Sequence, residues 1–214
     1  MAGMTYTSLQ EDLKRYLERG YPEDTEVLLQ IPRLIDLAER SMSRALKVQG
    51  FLVPVISVMA AGTSVYAKPN RWRETVSMNI GTGLTGNNRK FILPRSYEYC
   101  RVYWPDSDER ELPLFYADYD FTHWLISPTP NAAYNWETMY YELPPLLGDD
   151  NATNWLTDYA PNALLYRSLV EATPFLKNDE RMATWQQLYQ AEMQSLDAED
   201  LQNVANRASV RTED

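Results

Sequence analysis

The sequence predicts an α+β protein: a discontinuous helical bundle made from its N- and C-terminal segments, an inserted antiparallel β-sandwich or barrel, and an extended C-terminal arm. Three observations predict it. Apolar residues recur every three or four positions before Gly50 and again beyond about residue 150. The hundred or so residues between are β-prone and broken by Pro, Gly, Asn and Asp at the intervals typical of antiparallel sheets. Neither terminal segment has enough apolar faces to be stable alone, so the two must pack together. The bundle is accordingly assigned to residues 1–50 and 150–202, the β-rich insertion to 51–149 and the arm to 203–214.

Each element has its own signals. Ser8-Leu-Gln-Glu11 reads as a capping box, after which Leu9, Leu13, Tyr16 and Leu17 share a face and Gly20 supplies a left-handed stop. From Thr25 to Gly50 the spacing of Leu34, Ile35, Leu37, Ala38, Met42, Ala45 and Leu46 is helical, with Pro32 expected to break the run near Gln30 and Gly50 to end it. Strands are expected at Phe51–Val58, Ser64–Ala67, Trp72–Ile80, Lys90–Leu93, Tyr97–Trp104, Phe115–Asp120, Thr122–Ile126 and Trp136–Leu143. Asp158-Tyr-Ala-Pro161 opens a helix with proline at its first position, and Leu165, Leu169, Ala172 and Leu176 continue it past Pro174. Asn178 or Asp179 caps a last helix carrying Met182, Trp185, Tyr189, Met193 and Leu196, antiparallel to its predecessor. The polar stretch from Asn203 to Asp214 cannot pack a core alone.

Composition narrows the functions. The chain has 214 residues, 44% of them hydrophobic and 12% aromatic, enough to bury a core. A formal charge of −10 argues against holding nucleic acid by its phosphates, which takes clustered Lys and Arg. One cysteine, Cys100, and one histidine, His123, leave neither a disulfide nor a thiolate or imidazole metal cluster to expect. The N-terminus has no apolar leader and no apolar run has membrane length, so synthesis in a cytoplasm is expected and the sequon Asn151-Ala-Thr153 is read as incidental.

Four constellations could carry chemistry. Ile80-Gly-Thr-Gly-Leu-Thr-Gly-Asn-Asn contains G-x-G-x-x-G, but a strand pattern follows where a dinucleotide site needs a helix N-terminus, so the stretch reads as a hairpin connection and no cofactor is expected. Cys100 with His123 would make a thiol nucleophile and its base, yet Tyr97-Glu-Tyr-Cys-Arg-Val-Tyr has no nucleophile turn, and a buried structural thiol is expected. Asp106, Asp108, Asp118 and Asp120 lie among Trp104 and Trp124, a composition that suits sugar binding or glycoside hydrolysis if the carboxylates converge; Asp106-x-Asp108 lacks the glycine and terminal glutamate of an EF-hand. The aromatics Trp155, Tyr159, Tyr166, Phe175, Trp185 and Tyr189 read as an interhelical core. None of these sets demands an enzyme.

Longer stretches resemble a known family. Asn154-Trp-Leu-Thr-Asp-Tyr-Ala-Pro161, Leu164-Leu-Tyr166 and Glu171-Ala-Thr-Pro-Phe-Leu-Lys-Asn-Asp-Glu-Arg181 through Trp185 and Tyr189 resemble the head-to-tail adaptor (connector) proteins of tailed bacteriophages, among them tail tubular protein A of short-tailed phages. Ile31-Pro32, Leu34-Ile35, Ala38-Glu39, Leu93-Pro94, Ser127-Pro-Thr-Pro130 and Tyr140-Tyr-Glu-Leu-Pro-Pro145 agree with it. The resemblance implies a non-enzymatic virion protein, assembled in the host bacterial cytoplasm, that forms a ring, usually of twelve copies, beneath the portal. The helical bundle would then surround the DNA channel, the β insertion would hold the tail nozzle or tube, and the arm would reach the portal through Arg207, Val210 and Arg211. DNA would pass through without sequence-specific binding, since an acidic channel wall repels phosphates.

Overall fold

A computed structural model describes residues 3–17, 25–46, 49–81, 89–176 and 181–209. It is α+β, and the chain folds as two compact units, Met1–Gly50 with Pro144–Asp214, and Phe51–Leu143.

The first unit is helical. Helix α1 (Tyr6–Tyr16) starts one turn earlier than the capping box at Ser8 suggests: Thr5 is the N-cap, its hydroxyl accepting the Ser8 amide at 3.2 Å while Ser8 Oγ accepts the Thr5 amide at 2.8 Å. The reason is Tyr6, which is buried and whose amide donates to the carbonyl of Ala152 at 2.7 Å, so the helix must already be turning there. Leu9, Leu13 and Leu17 face inward, whereas Tyr16 is 44% exposed. Gly20 lies outside the described residues.

Helix α2 (Thr25–Ala45) runs through Pro32 without the expected break. Pro32 sits on the exposed side, where the carbonyl of Leu28, deprived of its amide partner, can be solvated. The helix ends at Ala45 rather than at Gly50, which falls in a short 3₁₀ turn, Gln49–Phe51. A Cβ on Gly50 would land within the indole of Trp155, so glycine is required there by close approach.

After the insertion come α4 (Trp155–Tyr159), α5 (Pro161–Leu176, with Pro161 first and Pro174 in its last turn) and α6 (Met182–Ser209). Helices α5 and α6 are antiparallel: Asn162 Nδ2 donates to Glu192 Oε1 at 3.3 Å, and the Arg167 guanidinium stands 5.5 Å over the Tyr189 ring. The segment expected as an extended arm is helical as far as Ser209, because nothing in Asn203–Ser209 breaks a helix; Asn178 and Asp179, the expected cap, lie outside the described residues. The core combines the α1 leucines with Ile31, Leu34, Ile35, Ala38, Met42, Leu46, Ala163, Leu164, Leu169, Ala172 and Trp185.

The second unit is a curled seven-stranded mixed sheet. Its strands are β1 (Leu52–Met59), β2 (Val65–Ala67), β3 (Trp72–Ile80), β4 (Lys90–Pro94), β6 (Phe115–Asp118), β7 (His123–Ser127) and β9 (Tyr134–Glu142), in the order β1-β9-β3-β4-β6-β7-β2. The short strands β5 (Arg110–Glu111) and β8 (Thr129–Pro130) pair separately. One pair, β4 with β6, is parallel, so the sheet is not purely antiparallel. A parallel pair needs a crossover, and the segment expected as a strand at Tyr97–Trp104 supplies it as helix α3 (Tyr97–Tyr103), begun by Ser96 accepting the Tyr99 amide at 3.2 Å. Alternation along β6 and β7 then sorts the side chains. Tyr116, Trp124 and Ile126 join Met59, Met78, Ile80, Ile92 and Trp136 in one cluster, while Ala117 and Leu125 meet Cys100 of α3 in another.

Gly50→Ala places a methyl against the Trp155 indole; chemical denaturation is expected to show a loss of about 1–3 kcal/mol, and the double variant with Trp155→Leu to recover part of it.

Candidate functional site

Polar chemistry in the helical unit concentrates on Glu39. The inward stripe of α2 includes Ile35, Ala38 and Met42, and a residue four after Ile35 and three before Met42 falls on the same face. Glu39 is therefore fully buried. Its carboxyl accepts the Leu147 amide at 3.1 and 3.2 Å and Asn154 Nδ2 at 2.6 Å. The second hydrogen of that Asn154 amide goes to the Pro145 carbonyl at 2.8 Å, and Asn154 Oδ1 caps α4 by accepting the amides of Leu156 and Thr157. Thr157 closes the box, its hydroxyl accepting the Asn154 amide at 2.9 Å. Burial pushes the Glu39 carboxyl up from 4.5 to about 7; the bonds from Leu147 and Asn154 pull the other way, Asp36 adds to the rise and Arg40 opposes it. A carboxyl titrating near neutrality could serve as an acid or base, but this one has no exposed surface and is held by its own chain, so it acts as a clip among Ala38-Glu39, Pro145–Leu147 and Asn154–Thr157.

A groove of about 570 Å³ opens elsewhere in the same unit, lined by Arg15, Tyr16, Tyr166, Arg181, Trp185 and Leu188. Arg181 donates to the Tyr16 carbonyl at 3.0 Å and lies 5.1 Å over the Trp185 ring, which ties the start of α6 to the end of α1. Of the aromatic residues expected as an interhelical core, Trp185 is buried and Tyr166 and Tyr189 half-buried. Tyr159 instead stacks on Trp155 at the surface, 69% exposed, and the Phe175 side chain lies outside the described residues.

The residues singled out for sugar chemistry are engaged separately. Asp118 pairs at 2.7 Å with Lys68 Nζ, a buried ammonium that also donates to the Asp120 carbonyl at 3.0 Å and sits 3.7 Å over the Trp72 ring. The Asp120 carboxylate shapes the β6–β7 turn: desolvation pulls its pKa upward, but the hydroxyl and amide of Thr122 and the His123 ring outweigh that and hold it at about 2. Asp106 accepts the Asp108 amide at 2.8 Å in an exposed turn. Trp124 is 1% exposed, its indole donating to Thr75 at 2.9 Å, so no sugar ring can stack on it; Trp104 packs against Phe115. Cys100 is buried on α3, and burial raises its pKa, the opposite of an activated nucleophile. His123 Nδ1 is occupied by Asp120 at 3.0 Å.

Strands β3 and β4 pair with Ile80 opposite Lys90, the hairpin expected on either side of the glycine-rich stretch, whose residues 82–88 lie outside the described ones. Arg207 falls in the last turns of α6, its side chain outside the described residues, as are Val210 and Arg211 altogether. Among the described residues, no group of three or more His, Cys, Asp or Glu could hold a metal ion, and no helix is long and apolar enough to cross a membrane.

Sequence reasoning did not single out Glu39 or the groove. Glu39 was readable as a carboxylate on an apolar stripe; the groove was not, since Arg15 and Arg181 meet only through the tertiary fold.

A family model matches residues 4–212, nearly the whole chain, and its class is the structural adaptor protein of phages. The chain belongs to the SU10 adaptor protein family. No curated protein matches it.

Two outcomes follow from the clip. Because the folded pKa of Glu39 stands above its unfolded value of 4.5, the unfolded chain loses this proton first as pH rises; the contribution of Glu39 is full below about 4.5, falls between 4.5 and about 7, and is level above. Urea unfolding at stepped pH should show a decline on the order of 3 kcal/mol across that window, absent from Glu39→Gln. Asn154→Ala removes a helix cap and a buried hydrogen-bond donor together and is expected to cost about 2–4 kcal/mol at neutral pH in the same assay.

Proposed function

We propose that this chain is a head-to-tail adaptor subunit that forms a ring, of twelve copies as in tail tubular protein A and related connectors, between the portal and the tail nozzle or tube. The observation that carries the reading is membership of the SU10 adaptor protein family over residues 4–212. In this reading the helical bundle of residues 1–50 and 150–202 surrounds the DNA channel, the insertion of 51–149 holds the tail component, and the arm of 203–214 contacts the portal through Arg207, Val210 and Arg211. The finished protein resides in the neck of the virion, after assembly in the host bacterial cytoplasm.

Physical chemistry supports each part. A net charge of −10 gives a wall from which phosphates are repelled, so DNA slides past without adhering. The length of α6, 28 residues, gives a reach of about 42 Å at 1.5 Å per residue, enough for one end to stay in the bundle while the other meets a partner. The buried clip at Glu39 keeps the helical unit rigid without using surface that assembly needs.

Negative-stain imaging of the purified protein, alone and mixed with the portal of the same phage, tests the reading. Rings that dock on the portal, and that lose docking when the chain is cut after Gln202, are the expected result. A monomer indifferent to the portal at every concentration overturns it.

A further inference from the structure

Strand β1 ends the seven-stranded sheet, with one edge paired to β9 and the other unpaired among the described residues. Pro54 fixes which backbone groups lie on each edge. Pairing is continuous from Leu52 opposite Tyr141 to Met59 opposite Tyr134, and a proline cannot donate into a ladder, so Pro54 and the other even-numbered residues turn their backbone groups away from β9. The far side of β9 agrees. The Asn135 carbonyl accepts the Gly81 amide at 2.8 Å, so odd-numbered residues of β9 bond toward β3 and even-numbered ones toward β1, where their partners are Val53, Val55 and Ser57. The open edge therefore presents the amides of Ile56 and Val58 and the carbonyls of Pro54, Ile56 and Val58, none with a backbone partner among the described residues.

The side chains of this edge are apolar and open, Ile56 62% and Val58 58% exposed. Between Lys47 and Lys68 the chain carries no Asp, Glu, Lys, Arg or His, whereas sheet edges left in water are ordinarily guarded by charges, lysine above all. Pro54 is a guard for the first half of the strand only. From Val55 to Met59 the edge has the donors, acceptors and apolar side chains that an added strand uses. Charge then selects the occupant. A charged side chain laid beside Ile56 and Val58 would lose water and meet no countercharge on the edge, so the added strand is uncharged there. A second copy's β1 fits that description, but an edge that pairs with itself makes an isologous contact, and neighbours round a ring meet through two different surfaces. The strand therefore comes from a different protein.

We propose that the Val55–Met59 edge of β1 takes up an uncharged extended segment of the tail nozzle or tube protein as an added strand. Main-chain bonds at Ile56 and Val58 hold the segment, and its side chains on the outer face pack beside those two residues. The proposal rests on the reading above that the insertion holds the tail component, and it names the surface that does so.

Hydrogen exchange read residue by residue on the full-length protein, alone and mixed with the tail nozzle or tube protein of the same phage, tests it. In the free protein Val55 and Ser57, bonded into β9, should exchange slowly and Ile56 and Val58 fast. On mixing, Ile56 and Val58 are expected to slow about tenfold or more while Val55 and Ser57 stay as they were. Ile56→Lys/Val58→Lys changes only side chains open to solvent and should lower capture of the tail protein about tenfold, with ring formation and portal docking unchanged. Val58→Pro removes one outward amide without touching a bond to β9 and should act in the same direction. A complex in which Ile56 and Val58 exchange as freely as before overturns the proposal and leaves the ring reading intact. A lysine pair that abolishes rings also overturns it, by giving the edge to a second copy. Rings that dock on the portal but bind no tail protein overturn it together with the insertion's assignment to the tail. Protein that forms no ring, yet gains protection at Ile56 and Val58 with the tail protein, overturns the ring alone.

Discussion

The helical unit depends on a carboxyl group held where no water reaches it. Glu39 has to be placed on the inner face of α2 because the helical period puts it there, and burying it is tolerable only because Leu147 and Asn154 supply hydrogen bonds. Those donors come from the stretch by which the chain returns after more than a hundred residues. Closing so long a loop costs chain entropy, and the clip offsets part of that cost with bonds that have one geometry. Asn154 is the hinge of the arrangement: one side chain satisfies Glu39, Pro145 and the first amides of α4, so the fold of the return segment and the burial of the carboxyl stand or fall together.

The insertion solves its own problem separately. Its sheet has a wide apolar face built from Met59, Met78, Ile92, Trp124 and Trp136, and a narrower one that α3 covers with Cys100. A buried ammonium, Lys68, fixes the β6–β7 turn by touching Asp118, the Asp120 carbonyl and the Trp72 ring at once. Carboxylates that suggested chemistry in the sequence are thus consumed by turn geometry and one ion pair. That outcome is common where acidic residues follow short strands, since Asp side chains satisfy turn amides that the sheet leaves open.

Much of the fold was legible because it follows from short-range rules. Pro161 marks the start of α5, alternation marks most strands, and β3 and β4 pair on either side of the glycine-rich stretch as a hairpin requires, Ile80 opposite Lys90. The failures share a cause. Tyr97–Tyr103 is rich in Tyr, Cys and Val, which read as strand, yet tertiary context wanted a crossover and Ser96 could cap it. Pro32 looked like a break because propensity ignores which side of the helix a proline occupies. Within the candidate site, Glu39, Pro145 and Asn154 all lie in stretches that carry the family resemblance, but their meeting depends on a contact across 115 positions, and no local pattern encodes it.

Strands β1 and β9 are paired along their whole length, Leu52 opposite Tyr141. The chain therefore enters and leaves the insertion through two neighbouring strands about 5 Å apart. Such a module can be exchanged as a cassette: a longer, shorter or different sheet fits between the same two connection points without moving a helix. A lineage of adaptors can then keep its helical unit under one set of selective pressures while the inserted sheet diverges under another.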